Sequence, residues 1–464
     1  MSILGAVAVP HPPIILPEVG RGEEEKIAAT TAAYKEISRR IVELEPETII
    51  ITSPHSIMYE DYFHISPGEG ATGDLSQFRA PQVAPAVNYD VDFVRKLSAD
   101  SSAEKIPAGT LGERNSALDH GTIIPLYFLK QAGLDFDKVK FVRIGLSDLS
   151  NAVHYKFGRL IAKVADELNR RTFFIASGDL SHKLKSDGPY GFVEEGPQFD
   201  AAVMENLGGA DFLKLLTMDN KVCSRAAECG LRSFWIMAGA LDKKAVRAEK
   251  LSYEGTFGVG YGVVYFNIDG DDANRNFLYQ LTKFKKYEAE KRKATEDDFV
   301  KLARYSLETF VKTRKPATLP EDLPEELTSR RAGAFVSLHK DGNLRGCIGT
   351  IMATQNTLAE EILQNAISAC SRDPRFSPVE VDELDYIEYS VDVLGDPERI
   401  FSVKDLDVKR YGVIVENSGR RGLLLPDLEG VDTVEEQIAI AKRKAGIRPE
   451  EKVSLWRFEV IRHH

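Results

Sequence analysis

His11 follows the apolar run GAVAVP, His55 follows IIITSP, and His182 follows FFIASGDLS, while His120 opens a helical stretch at ALDHG. Each apolar run reads as a strand, and ligands of open α/β sheets bind in the crevice beyond the carboxyl ends of strands. One such histidine is ordinarily a helix cap or a satisfied polar group; four at one end of a sheet have the types needed to hold a metal or move protons. Pro10 and Pro54 stand directly before two of them. A proline removes a backbone donor and biases the residue before it to extended geometry, a rigid exit that suits a metal ligand.

Two acidic residues join this group. Asp179, in SGDLSH, reads equally as a group that orients His182 or a neighbour and as a turn cap. Glu254, in SYEG, reads by position alone as a solvated carboxylate before a glycine-broken strand. Cys223 and Cys229 flank the start of a helix and read as small hydrophobes.

Over most of residues 1–270 this pattern resembles the class III extradiol ring-cleavage dioxygenases and the Memo-like proteins that share their fold. The resemblance implies that His11, His55 and Glu254 hold Fe(II), that His182 is the acid/base histidine, and that His120 lines the substrate pocket behind the ligands. Two imidazoles and one carboxylate on Fe(II) leave adjacent positions for a chelating substrate and O2. Some Memo-like relatives carry cysteine in place of the glutamate and are regarded as binding proteins, so Glu254 favours an iron-competent site. Zinc and copper also suit imidazole and carboxylate donors, and the sequence does not separate them.

The elements that must position these residues are strands at Ile3–Val9, Thr48–Thr52, Lys140–Gly145 and Thr172–Ala176, with helices at Glu23–Leu44, Gly121–Ala132, Ala152–Arg170 and Gly230–Leu241. Val/Ile/Phe-rich runs between helices of period three and four indicate an α/β domain, a central sheet flanked by helices. A further strand is expected over Gly255–Ile268, broken by Gly258, Gly260 and Gly262. The pattern changes after Asp269, so the expected division is a first domain over 1–270, a Lys-rich solvated linker helix over 271–294 and a second domain over 295–464.

The second domain reads as α+β: a helix at Asp297–Lys312, a hairpin at Ala334–Thr350 turning at Asp341-Gly342, helices at Thr357–Ser371 and Val434–Ala445, and a closing strand at Val453–Ile461. Its motif Leu344-Arg345-Gly346-Cys347-Ile348-Gly349, followed by Arg372-Asp373-Pro374-Arg375-Phe376, is similar to the AMMECR1 domain. A Memo-like domain fused to AMMECR1 resembles the AmmeMemoRadiSam system, which implies a radical-SAM protein as a partner. Arg345 is placed to meet an anion. Cys347 reads either as a nucleophilic or redox thiol or as a structural cysteine in a glycine-rich bend, with His339 across the hairpin.

Composition narrows the classes. The 464 residues carry a formal charge of −11, which argues against a domain devoted to nucleic-acid phosphates. No run approaches the roughly 20 apolar residues needed to cross a bilayer, and the start lacks a basic signal-peptide region. Four cysteines without a CxxC pattern suggest neither a disulfide framework nor a thiolate zinc site, and the expected setting is cytoplasmic. The expectation is thus an Fe(II) dioxygenase that uses O2 to open a catechol-like or aminophenol-like ring. Its rival is a non-catalytic metal- or peptide-binding component of an AmmeMemoRadiSam-type system.

Overall fold

The computed structural model describes every residue except Met1, Asp341 and Glu429. It separates into two compact units, Met1–Thr282 and Lys283–His464, which divide inside the helix Phe277–Thr295.

The first unit is built on strands β1 (Ile3–Val9), β2 (Thr48–Ser53), β3 (Lys140–Gly145), β4 (Thr172–Ser177), β5 (Lys244–Glu254) and β6 (Tyr261–Asp271), in the order β3-β2-β4-β1-β6-β5. The first four run parallel, while β6 is antiparallel to β1 and β5 antiparallel to β6. β2 and β4 are buried along their whole length, as parallel strands covered on both faces must be. Successive residues enter opposite cores: Ala8, Ile50 and Phe174 pack on one side, and Val7, Ile51 and Ile175 on the other. The helices supplying these layers include α1 (Ala28–Glu43), α2 (His120–Gln131), α3 (Asn151–Glu167), α4 (Glu195–Gly208) and α5 (Leu231–Ala240). α1 buries Ala33, Tyr34, Ile37 and Ile41, an apolar stripe at helical spacing.

One strand boundary differs from expectation. Gly255–Gly260 is a connection rather than strand, and the segment before it, Lys244–Glu254, is a full edge strand. β5 is only half-buried, so its apolar alternation is weak and its sequence does not announce it.

The second unit holds β7 (Ala334–Lys340), β8 (Asn343–Gly349), β9 (Ile387–Leu394), β10 (Glu398–Ile400), β11 (Tyr411–Asn417), β12 (Arg420–Leu424) and β13 (Ser454–His463). The antiparallel order is β8-β7-β9-β13-β11-β12, with β10 beside β13. The helix α6 (Phe277–Thr295) is followed by α7 (Asp298–Thr313); with α8 (Leu358–Ser371), α7 covers one face through Val300, Leu307, Ile362 and Ala366 against Val336, Leu338 and Val391. α9 is Val434–Lys444. The expected hairpin is present; its turn residue Asp341 lies outside the described residues. His463 belongs to β13, where its Nδ1 lies 2.6 Å from the Asp297 carboxylate that caps α7.

β8 is an edge strand whose outward backbone is closed by side chains. Asp373 accepts from the Cys347 N–H at 2.9 Å and is held by Arg375. Arg375 holds the Asp373 carboxyl down to about 2, against an ordinary 3.8. A depressed carboxylate stabilises the fold above its unfolded value, and the contribution is lost as pH falls through the folded one. Asp373→Asn is therefore expected to cost about 1–3 kcal/mol at neutral pH. Urea titrations of both proteins should show the gap narrowing as pH falls from about 4 towards about 2; a gap independent of pH would contradict the assignment.

Candidate functional site

The site forms where β2, β4 and β1 end side by side. Thr52 pairs with Ala176, and Ala176 with Ala8, so the chain segments after Ser53, Ser177 and Val9 emerge together. These segments carry His55, Asp179 and His11. α2 begins at the same place and adds His120. The imidazoles of His11, His55 and His120 each offer a ligand atom within 4.8 Å of the others, and His11 Nε2 lies 3.0 Å from His55 Nε2. His11 is buried, His120 half-buried and His55 exposed, so the cluster reaches from the interior to the surface.

His55 and His120 are tied together through their sequence neighbours Ser53 and Asp119. Asp119 caps α2 by accepting from Thr122 N and Oγ1, and Ser53 Oγ donates to the same carboxylate at 2.5 Å. This ties the end of β2, and so His55, to the helix turn that carries His120. Gly121 makes the approach feasible: a Cβ there would stand 2.5 Å from Ser53 Oγ and 3.4 Å from His11 Nδ1. Gly178 serves the same purpose, since a Cβ there would meet Gly230 Cα at 2.1 Å.

The protons on His11 follow from its partners. Ser177 Oγ donates to the Gly121 carbonyl at 2.6 Å, leaving its lone pairs for His11 Nδ1 at 2.9 Å. His11 Nδ1 therefore carries hydrogen and Nε2 presents a lone pair towards His55. Burial holds His11 well below the ordinary histidine value, with His55 adding repulsion. Burial also lowers His55, although the Asp119 and Asp179 carboxylates oppose it. His120 is pushed down to about 3 by burial and by the two neighbouring imidazoles. Neutral imidazoles with converging lone pairs repel one another unless a proton or a cation lies between them. A tetrahedral or octahedral ion with M–N bonds of about 2.0–2.1 Å sets its nitrogens roughly 3.0–3.4 Å apart, and the 3.0 Å separation fits. The donor set thus fits a transition metal, with the Nδ1–H···Ser177 bond orienting the ligand.

Asp179 and Cys229 complete the wall. The Asp179 carboxylate accepts from His11 N at 2.7 Å, and its second oxygen stands 4.0 Å from His11 Nε2. Burial pushes this carboxyl up to about 6. Asp179 therefore orients the backbone of His11, where the sequence left it open between an orienting and a capping role. Cys229 Sγ lies 3.7 Å from His11 Nε2 and accepts from Asp179 N at 3.2 Å. The sequence reads Cys229 as a small hydrophobe, and burial does push its thiol up; its contact with His11 is an addition to that reading. The available signal was its place one residue before Gly230, at the start of a helix whose close packing on Gly178 aims it at the strand ends. His182 stacks on Tyr190, with centroids 5.2 Å apart. Its Nε2 is buried and has no hydrogen-bond partner among the described residues. Burial lowers its basicity, Asp179 raises it and His55 lowers it, which places its ring within electrostatic reach of the cluster.

Glu254 is seated elsewhere. Its Oε2 accepts from Thr30 N at 2.7 Å and Thr30 Oγ1 at 2.6 Å, in the first turn of α1. It ends the edge strand β5, two strands from β1, and two strand spacings amount to roughly 10 Å. An unpaired helix N-terminus attracts a carboxylate by hydrogen bonding and by its dipole. His120 takes the place in the cluster that the sequence assigned to Glu254. In the second unit Arg345 is likewise occupied: it binds Glu383 through two bonds of 3.0 and 2.9 Å and donates to the carbonyls of Ser377 and Pro378. The residue facing Cys347 across the hairpin is Ser337, not His339.

Glu254→Ala is accordingly expected to remove about 0.5–2 kcal/mol of stability through the lost cap while leaving any metal stoichiometry unchanged, whereas His11→Ala or His55→Ala is expected to abolish metal binding. Thermal unfolding together with metal analysis of the purified variants decides this; loss of metal in the Glu254 variant would return that residue to the ligand set.

Two family models match the two units and agree with this architecture. The family described as the catalytic LigB subunit of aromatic ring-opening dioxygenase matches residues 5–264, and AMMECR1 matches residues 300–463. Protein CA_C1420 of Clostridium acetobutylicum is 42% identical over 471 residues, covering 100% of this chain and 99% of its own length. A Thermotoga maritima protein is 56% identical over 171 residues, 36% of this chain and 98% of its own. Among solved structures, PH0010 of Pyrococcus horikoshii is 35% identical, covers 35% of this chain and 88% of its own, and has a TM-score of 0.33. JW3007 of Escherichia coli is 16% identical, covers 56% and 99%, and has a TM-score of 0.37. With strand-end histidines in the first unit and the match spanning more than half of the sequence, the chain belongs to the LigB family of extradiol dioxygenase-like proteins, fused to an AMMECR1 domain.

Proposed function

We propose that the first unit is a non-haem Fe(II)-dependent dioxygenase that opens a catechol-like or aminophenol-like ring. The observation that carries this reading is the His11–His55 pair, whose Nε2 atoms lie 3.0 Å apart with the His11 lone pair turned inward by Ser177. His11 and His55 would hold the metal, with His120, Asp179 and Cys229 around it as further donors. When bound, Fe(II) would bring a chelating diol and O2 into contact and supply electrons to O2.

The protein's own groups account for the proton traffic. His182 enters neutral, so its buried, unpartnered Nε2 accepts the proton of a substrate hydroxyl. The nearby Asp179 carboxylate stabilises the resulting imidazolium, while burial, which lowers the basicity of the ring, favours its later return of the proton. Tyr190, stacked on the His182 ring, keeps that ring from rotating away.

A second reading rests on Cys229. A thiol 3.7 Å from His11, with Glu254 occupied at α1, replaces an oxygen donor by a soft one. Soft donors suit zinc or copper(I), and such a site serves a metal- or peptide-binding component working beside a radical-SAM protein.

The test is anaerobic loading with Fe(II), zinc or copper, followed by O2-uptake assays against catechols and aminophenols. The first reading expects Fe(II)-dependent uptake with a ring-opened product, and His182→Ala retaining iron but losing about 10²–10⁴-fold in turnover. Metal binding without uptake on any substrate of the panel favours the second; unchanged turnover in the His182 variant removes that residue from the acid/base role.

A further inference from the structure

The segment Leu180–His182, which carries the acid/base histidine of the reaction proposed above, is moored from three directions. Leu180 N donates to the Gly260 carbonyl at 2.9 Å, and Gly260 N donates to the Ser181 carbonyl at 2.8 Å. His182 N and Ser181 Oγ both donate to the Ala226 carbonyl, at 3.1 and 3.0 Å. The third mooring is a side chain: Ser181 N donates to Asp200 Oδ1 at 2.7 Å. Gly260 and Ala226 act through their backbones, so Asp200 is the mooring that a change of side chain removes.

Asp200 lies in the middle of α4 and is only 1% exposed. Its second oxygen accepts from the Tyr253 hydroxyl at 2.7 Å, at the end of β5. The fit around it is close, since a Cβ on Gly260 would stand 2.0 Å from Asp200 Oδ2. No cation among the described residues lies within ion-pair reach of this carboxyl, and burial pushes it up to about 7 from an ordinary 3.8. Buried carboxylates are ordinarily paired, and an apolar side chain of similar size would stabilise the same space better. Packing therefore does not account for an acid here, whereas a fixed acceptor for the Ser181 amide does.

His182 depends on its backbone for its place. Its Nε2 is buried and has no hydrogen-bond partner among the described residues, so that end of the ring is not tethered. Tyr190 stacks on the ring face, which limits rotation and leaves the position of the ring to the chain that carries it. An acid/base group must stand within hydrogen-bond reach of the proton it moves, so a small shift of this segment is felt at the reacting atoms.

We propose that Asp200 is the positioning residue of His182: by holding the Ser181 amide it sets where the imidazole stands beside the metal cluster, and the Tyr253 hydroxyl fixes the carboxyl in the orientation that does so. The consequence for turnover rests on the acid/base reading of His182; the placement itself does not.

Two substitutions separate the acceptor from the space it fills. Asp200→Leu removes the acceptor and keeps the volume apolar, while Asp200→Asn keeps an oxygen for Ser181 N. Deuterium exchange at the imidazole C2 position of the full-length variants, read by peptide mass mapping, follows each histidine without any substrate. His154, fully buried within α3, serves as the internal reference. Asp200→Leu is expected to speed exchange at His182 by at least about twofold through local loosening, with His154 and the metal stoichiometry unchanged, and Asp200→Asn should retain the wild-type rate. Tyr253→Phe, at an exposed position, should fall between them and keeps the test readable if the leucine variant does not fold. On a substrate that the wild-type protein turns over, kcat of Asp200→Leu should drop about 10–10²-fold, as a displacement of roughly 1 Å does, with KM moving less and Asp200→Asn restoring most of the rate. Wild-type exchange at His182 in both Asp200→Leu and Tyr253→Phe, or equal acceleration of His182 and His154, overturns the proposal. The expected exchange pattern without turnover on any substrate supports the placement and counts against the dioxygenase reading alone.

Discussion

The parallel pairing of β2, β4 and β1 is the constraint on which the first unit's chemistry depends. Parallel strands in register end at a common level, so three segments far apart in sequence leave the sheet side by side. The burial of both faces of β2 and β4 makes that register costly to shift, because a one-residue slip would exchange the residues of the two cores. Ser53, Ser177 and Asp119 then turn a shared level into a shared site. Each is a short side chain that links one strand end to the next element.

Electrostatics at the site follow from the same burial. Three imidazoles in a desolvated group repel protons from one another and stay neutral, ready to act as donors. Asp119 and Asp179 are carboxylates that act on this set, and Asp179 is bound to the backbone of His11. Removing Asp179 would therefore alter both the position of a ligand and the charge felt by His182.

The second unit applies a different solution to a similar need. An edge strand has unpaired backbone groups on one side, normally a liability. Here Asp373, Arg375 and the Arg345–Glu383 pair occupy that side and fix the glycine-rich motif instead of leaving it to fray. The closing strand β13 passes between β9 and β11, so residues from both ends of the unit contribute to one face.

Much of this was legible in the sequence for a local reason. β-branched runs buried on both faces and helices of period 3.6 are set by neighbouring residues, so β1 to β4 and the helices expected among them lie close to where their patterns put them, while the helix Val91–Ala103 was not expected. The strand-end positions of His11, His55 and His182 followed from that periodicity. What the sequence could not decide was which side chains meet, because that depends on strand order. Glu254 and Cys229 exchange their expected importance on this point: β5 lies at the sheet's edge, where α1 offers its carboxylate two donors, while α5 starts directly above the end of β4. Arg345 shows the same limit, since a cation next to a motif cysteine is as readily claimed by a carboxylate 38 residues away as by a ligand. Local pattern determined the elements; the packing of distant elements, which pairs groups such as Glu254 and Arg345 with partners close in space and leaves His182 Nε2 without one, decided the site.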